Sequence, residues 1–160
     1  MLASPQTLTD LFANETLGAP DNAVGFVLWR SAHLYVRAID RVLAPIGFTH
    51  LQFTVLAMTA WMARSGEPVT QITLARFGNI HPMQVSQVLK ALAAKGMVMR
   101  PRSTIDTRAK RIEVTEAGVA ALQQAMPLAI DVQARLFGEA GAPGGSLLAA
   151  LTRFLAEASD

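Results

Sequence analysis

The sequence contains no cysteine. Disulfides, thiolate metal sites, a cysteine nucleophile and cysteine-based peroxide sensing are therefore excluded. Its three histidines, His33, His50 and His81, stand far apart and without clustered carboxylates. Neither a Gly-rich phosphate loop nor an H-E-x-x-H pattern is present. An enzyme is not expected, no cofactor is implied, and the histidine spacing gives a zinc site no specific support. No window reaches the roughly 18 uninterrupted apolar residues of a membrane span. The start MLASPQTLTD also lacks the basic patch and apolar run of a secretory signal. These two absences set the expectation of a cytoplasmic protein with no membrane partner.

What is present is enough for a core. At 160 residues with 51% hydrophobic side chains, the chain suits one compact unit or a small domain carrying extensions. A net charge of +2 conceals an asymmetry. Residues 48–115 hold nine Lys or Arg against Glu67, Asp106 and Glu113, a net of +6, and the remainder carries −4. Between Lys90 and Arg111 there are seven basic residues and one acid, Asp106. A basic centre within acidic flanks points to a polyanion read by one part of the fold.

Punctuation along the chain predicts mainly helices. Residues 1–19 show no sustained periodicity and read as an arm that orders only against a partner. Asp21 or Asn22 caps a long helix in which Val24, Leu28, Tyr35, Ile39 and Val42 form one stripe, with Val27 and Leu34 beside it, until Pro45 and Gly47 stop it. Thr49 caps the next helix, to about Arg64, with Gln52 reaching back in a capping box. Thr70 then caps a short helix with apolar positions Ile72, Leu74, Ala75 and Phe77, ended by Gly78. The stretch HPMQVSQVLKALAAKG, 81–96, follows with Pro82 at the first helical position and Gly96 just beyond the last. MVMR and RIEV are strand candidates joined by the polar, basic PRSTIDTRAK. Thr115 caps a further helix that Pro127 should kink, GEAGAPGG breaks the chain, and SLLAALTRFLAEA forms the last helix.

Helix, short helix, turn, second helix and hairpin is the order of a winged helix-turn-helix. The fold class expected is mainly α with a small β-hairpin wing. It comprises residues 1–47 as arm and long dimerisation helix, 48–115 as DNA-binding domain, and 116–160 as C-terminal dimerisation helices. A B-DNA major groove about 12 Å wide accepts one helix whose inner face is anchored and whose outer face is polar. With Val85, Val88, Leu89 and Leu92 inward, Met83, Gln87, Lys90, Ala91 and Ala94 turn outward, flanked by Gln84 and Ser86. Gln suits bidentate contact with adenine, and Lys suits guanine or phosphate. Met83 fits a thymine methyl or a gap against the preceding helix. His81 fits a phosphate contact or, better, a partly exposed cap.

The runs LAPIGFTHLQFTVLAM, VTQITLARF, QVSQVLKALAAKGMVMR and IDTRAKRIEVTEAGVAAL resemble the MarR (multiple antibiotic resistance regulator) family of bacterial transcription factors, over roughly residues 24–125. The most specific element is the wing: Asp106, Thr107 and Arg108, then Lys110 and the strand leading into T-E-A-G. The resemblance implies a homodimeric winged helix that usually represses transcription and leaves DNA when a small, often phenolic, ligand binds. In such a wing Arg108 reaches the minor groove or phosphate, and Asp106 holds it by a charge-assisted hydrogen bond or orders the loop as a turn residue. Arg100, Arg102, Lys110 and Arg111 supply backbone contacts. The His81-Pro82-Met83-Gln84 start departs from the small residues and Arg common in relatives, so the operator sequence cannot be borrowed.

The apolar surface of the first and last thirds exceeds what one small wing domain buries. A twofold dimer on double-stranded DNA then implies an inverted-repeat operator with half-sites about 10 bp apart. The alternative is one intramolecular helical cap. Trp29, His33 and Arg37, at i, i+4 and i+8, can hold an aromatic acid as effector. The preferred alternative makes Trp29 core, His33 an interface residue and Arg37 a partner of Asp40 or Asp131. Two competing functions remain: a winged helix used for protein contact without DNA, and a metal-responsive regulator.

Overall fold

The computed structural model describes residues 2–99 and 111–158. In chain order these form α1 (Pro5–Glu15), α2 (Val24–Leu43), α3 (His50–Ala63), α4 (Gln71–Phe77), α5 (Pro82–Ala94), β1 (Val98–Met99), β2 (Glu113–Val114), α6 (Glu116–Gly141) and α7 (Ser146–Glu157). The strands pair antiparallel, Val98 with Val114 and Met99 with Glu113. The fold class is the expected one, mainly helical with one small hairpin. Two compact units, Met1–Ala38 and Ile39–Asp160, divide the chain, and the boundary falls within α2. Among the described residues no single helix is long and apolar enough to cross a membrane.

In the first unit, α1 replaces the irregular arm expected from the sequence. Ser4 Oγ accepts from the Thr7 N–H at 3.1 Å, and Pro5 occupies a first-turn position where its missing N–H costs nothing. Leu8, Leu11 and Phe12 share one stripe and are about half exposed. Neither Asp21 nor Asn22 caps α2. A 3-10 turn, Pro20–Asn22, leads into it, and the Ala23 carbonyl accepts from the Val27 N–H. Asn22 donates instead to the Leu17 carbonyl, and Asp21 pairs with Arg30 at 3.5 Å on the surface.

The second unit contains the core, centred on Ile39, Leu43, Leu56, Leu74, Leu89 and Leu92, all fully buried. Thr49 caps α3 by accepting from the Gln52 N–H at 3.2 Å. The Gln52 side chain does not complete the box; its Oε1 accepts from Lys95 Nζ at 2.8 Å, and Lys95 also donates to the Gly47 carbonyl. A full capping box forms one helix later, where Thr70 and Thr73 exchange side-chain and backbone bonds. Leu74 and Ala75 of α4 are buried as expected, but Ile72 and Phe77 are both more than half exposed.

Thr115 organises the start of α6. Its Oγ1 accepts from the Gly118 N–H at 3.1 Å and donates to the Gly96 carbonyl at 2.7 Å, while its own N–H reaches the Met97 carbonyl. A side chain at Gly118 would lie 2.3 Å from that Met97 oxygen, so the helix can approach the hairpin only with glycine there. The dihedrals of α6 stay helical through Pro127 and leave the helical region at Gly138 (φ 51°, ψ −149°), the first residue of the GEAGAPGG run expected to break the chain, in a conformation suited to glycine.

His50, at the first position of α3, donates its backbone N–H to Asp40 Oδ1 at 2.5 Å. Burial pushes its imidazole below the ordinary 6.5, with the Asp40 carboxylate acting in the opposite direction. The folded state thus prefers the neutral ring, and its contribution is fully present above pH 6.5 and lost as pH falls below that value.

Two outcomes follow from these contacts. Gly118→Ala should cost about 1–3 kcal/mol in urea unfolding, from overpacking against backbone, whereas Gly25→Ala, which meets open space in α2, should not destabilise. The fall in thermal midpoint between pH 7 and pH 5 should be shallower in His50→Asn than in the parent protein, as measured by calorimetry.

Candidate nucleic-acid interface

The turn between α4 and α5 is built from backbone. Gly78 donates to the Leu74 carbonyl at 3.0 Å, Ile80 donates to the Ala75 carbonyl at 2.9 Å, and Asn79 takes a left-handed conformation with φ 49°. Asn tolerates that region better than most residues. Gln71 then clasps the two helices together, its Nε2 donating to the Pro82 carbonyl at 2.9 Å. This contact was not anticipated from the sequence, since nothing in a single polar residue at a helix start announces a bond eleven residues on.

On α5 the expected inner face is realised. Val85, Leu89 and Leu92 are fully buried and Val88 is 8% exposed. The helix contacts α3, α4 and β1. Met83, Gln84, Gln87, Lys90 and Ala94 are exposed on the other side, with Ser86 and Ala91 half-buried at the margins. Met83 is 63% exposed, which removes it as a gap filler within the described chain.

His81 is the cap. Its Nδ1 accepts from the Met83 N–H at 3.2 Å. That bond needs an unprotonated Nδ1, so the ring proton sits on Nε2, at a helix N-terminus where the unpaired N–H groups and the helix dipole favour an anion.

At the foot of the hairpin, Thr70 and Arg111 form an antiparallel bridge, and the Ile112 N–H donates to the Val69 carbonyl at 2.8 Å. The Val69–Thr70 backbone thus braces the outer side of the second hairpin arm. Arg111 Nε lies 3.2 Å from Glu113 Oε1, so its charge is partly spent within the protein. The other wing candidates, Arg100, Arg102, Asp106, Arg108 and Lys110, lie outside the described residues.

The structure does bring Trp29, His33 and Arg37 together, in a depression of about 310 Å³ on one face of α2. The Trp29 and His33 rings are 4.4 Å apart, and His33 Nδ1 lies 2.8 Å from the Trp29 carbonyl oxygen. The expectation that Trp29 is core is not met within the chain. Trp29 is 57% exposed, and Asp131 pairs with Arg135. Among the described residues, no group of three or more His, Asp or Glu is placed to hold a metal ion.

This geometry agrees with the relatives. The ArnR1-like winged-helix domain family matches residues 45–132. The HTH-type transcriptional regulator YdcH of Bacillus subtilis is 32% identical over 121 residues, spanning 76% of this chain and 82% of that protein. The crystal structure of CouR from Rhodococcus jostii RHA1 bound to p-coumaroyl-CoA superposes with a TM-score of 0.72 at 26% identity, over 86% of this chain and 92% of that one. The transcriptional regulator MOSR of M. tuberculosis, in complex with DNA, gives 0.67 at 29% identity, over 86% and 96%.

Replacing His81 separates capping from contact. His81→Ala should lower stability by about 0.5–2 kcal/mol, while His81→Asn should restore it, as read by urea unfolding. The helix order, the anchored α5, the braced hairpin and these relatives lead to one conclusion: the chain belongs to the MarR family of winged helix-turn-helix regulators, and is a DNA-binding transcriptional regulator rather than an enzyme.

Proposed function

We propose that the protein is a homodimeric repressor that reads an inverted-repeat operator and releases it on binding a small ligand. The observation that carries the reading is α5, sealed on one side by Val85, Val88, Leu89 and Leu92 and exposing Met83, Gln84, Gln87 and Lys90 on the other. In this reading those exposed residues, with Ser86 and His81, meet the major groove. Arg100, Arg102, Arg108 and Lys110 meet phosphates and the minor groove, with Asp106 steadying Arg108. Arg111 contributes less, being paired with Glu113.

Dimerisation is supported by apolar surface the chain leaves open. Val24 and Leu34 of α2, Leu11 and Phe12 of α1, and Phe154 and Leu155 of α7 are each between 47% and 82% exposed. Exposed apolar side chains on each of these helices favour association. Residues 1–47 and 116–160 then serve as the dimerisation segments and 48–115 as the reading head, working on DNA in the cytoplasm. A ligand-responsive mode is supported by CouR, whose structure holds p-coumaroyl-CoA. Trp29, His33 and Arg37 offer one seat for an effector, combining a ring, a hydrogen-bonding imidazole and a cation on one helix face.

The test is affinity for promoter DNA near the protein's own gene, measured by fluorescence anisotropy across a salt series. Gln87→Ala should weaken binding by about 5-fold to 150-fold, the range of one lost base contact. Arg108→Ala should weaken it similarly and lower the salt slope by about one. Unchanged affinity in both variants refutes the reading. In vitro transcription from the same promoter should fall when the protein is added, and a rise would identify an activator instead.

A further inference from the structure

Between α2 and α3 the chain turns on Gly47, which takes a left-handed conformation with φ 78°. Its N–H donates to the Ala44 carbonyl at 2.9 Å, and the Phe48 N–H donates to the Leu43 carbonyl at 3.1 Å. Among the described residues, no backbone N–H bonds to the Gly47 carbonyl itself. That carbonyl is taken by a side chain from the far end of α5.

Lys95 caps α5. Its own N–H bonds to the Ala91 carbonyl at 3.2 Å, and Gly96 closes the helix with φ 69°. Lys95 stands three residues beyond Leu92 and seven beyond Val88, which continues the seam of the buried face and not the side bearing Gln84 and Gln87. The Lys95 Nζ donates to the Gly47 carbonyl and, at 2.8 Å, to Gln52 Oε1 on α3. It also lies 5.6 Å from the centroid of Phe48, whose ring is 4% exposed. Two oxygens and a ring face match the three donors of an ammonium. Among the described residues no carboxylate lies within ion-pair distance of Lys95, so the charge is held by oriented dipoles.

We propose that Lys95 is a positioning residue for sequence reading: without touching DNA, it sets the register of α5 through Gln52 and the Gly47 carbonyl. The apolar seat of α5 fixes how deeply the helix lies, but hydrophobic contact is non-directional and resists sliding or rolling less well. Directional bonds at the two ends supply that restraint, Gln71 to the Pro82 carbonyl at the start and Lys95 at the close. Base-edge hydrogen bonds need donor and acceptor within about 2.7–3.2 Å, so a small roll of α5 loses them, whereas attraction to phosphate tolerates it. Lys95 therefore governs discrimination between sequences more than affinity for DNA as such. The assignment rests on the reading of α5 as the helix that enters the major groove.

The experiment uses the full chain and fluorescence anisotropy across a salt series. Its two duplexes are the promoter fragment and a shuffled sequence of the same length and composition. Lys95→Met keeps the apolar stem and removes the ammonium. Its affinity for the promoter should fall by about 3-fold to 10-fold, the scale of one or two hydrogen bonds. Its affinity for the shuffled duplex and its salt slope should match the parent. Gln52→Leu should lower the ratio of the two affinities in the same direction, and should add no further loss in the Lys95→Met background. Gln52→Glu, which keeps an acceptor for the ammonium, should retain the parent ratio. Lys90→Met, altering an exposed residue on the outer side of α5, should lower the salt slope by about one.

A parent ratio in Lys95→Met would overturn the assignment. So would equal losses on both duplexes with the salt slope lowered by about one, which would place Lys95 on phosphate, or additive losses with Gln52→Leu. Urea unfolding shows whether each variant is folded. If Lys95→Met is not, the Gln52 pair decides, and equal ratios in Gln52→Leu and Gln52→Glu would overturn the assignment. Gln87→Ala runs in the same series. Parent affinity there would count against the reading of α5 itself, while a loss there beside a parent ratio in Lys95→Met would count against Lys95 alone.

Discussion

The structure depends on how α5 is held. A helix can enter a groove only if its position is fixed by contacts on the far side, and here four aliphatic side chains supply them. Each of Val85, Leu89 and Leu92 loses all its exposure and Val88 nearly all, worth about 1.5–3 kcal/mol per side chain. The burial places them against α3 and β1, so the core of the domain and the seat of α5 are the same packing. Gln71, Asn79 and the His81 cap fix its start. None of them would matter without the apolar seat.

The same packing decides which charges are left unengaged by the protein. The basic excess of residues 48–115 overstates the surface available to phosphate, because two of its members work within the protein. Lys95 crosses to the Gly47 carbonyl and Gln52, locking the end of α5 to the start of α3, and its Nζ sits 5.6 Å from the Phe48 ring centroid. Arg111 is drawn toward Glu113 at the hairpin foot. What remains on α5 is Lys90 amid uncharged amides, a composition suited to reading base edges more than to clamping the backbone. In the proposed reading the clamping role falls to the basic residues between Arg100 and Lys110.

Much of this was legible because helix ends are written locally. Thr49, Thr70 and Thr115 each cap the helix that follows, and Pro82 and Gly96 bracket α5 as their backbone preferences require. The inner face of α5 followed from 3.6-residue spacing alone. What escaped were features set by distant neighbours or by short signals. Ser4 and Pro5 mark the start of α1, but a stripe of only Leu8, Leu11 and Phe12 was too brief to register as periodicity. Gln52 was drawn from its expected capping box by Lys95, forty-three residues away. Phe77 counts among the apolar positions of α4, yet as the last residue of that helix it stays more than half exposed. By contrast the break at Gly138, the first residue of GEAGAPGG, was legible locally, because a positive φ is accessible to glycine at little cost.

The most direct test of a paired α5 as the reading element is a hydroxyl-radical footprint on promoter DNA. Two copies related by a twofold axis should protect two windows on one face of the duplex, about 10 bp apart from centre to centre. A single protected window, unchanged as protein concentration rises, would contradict the account.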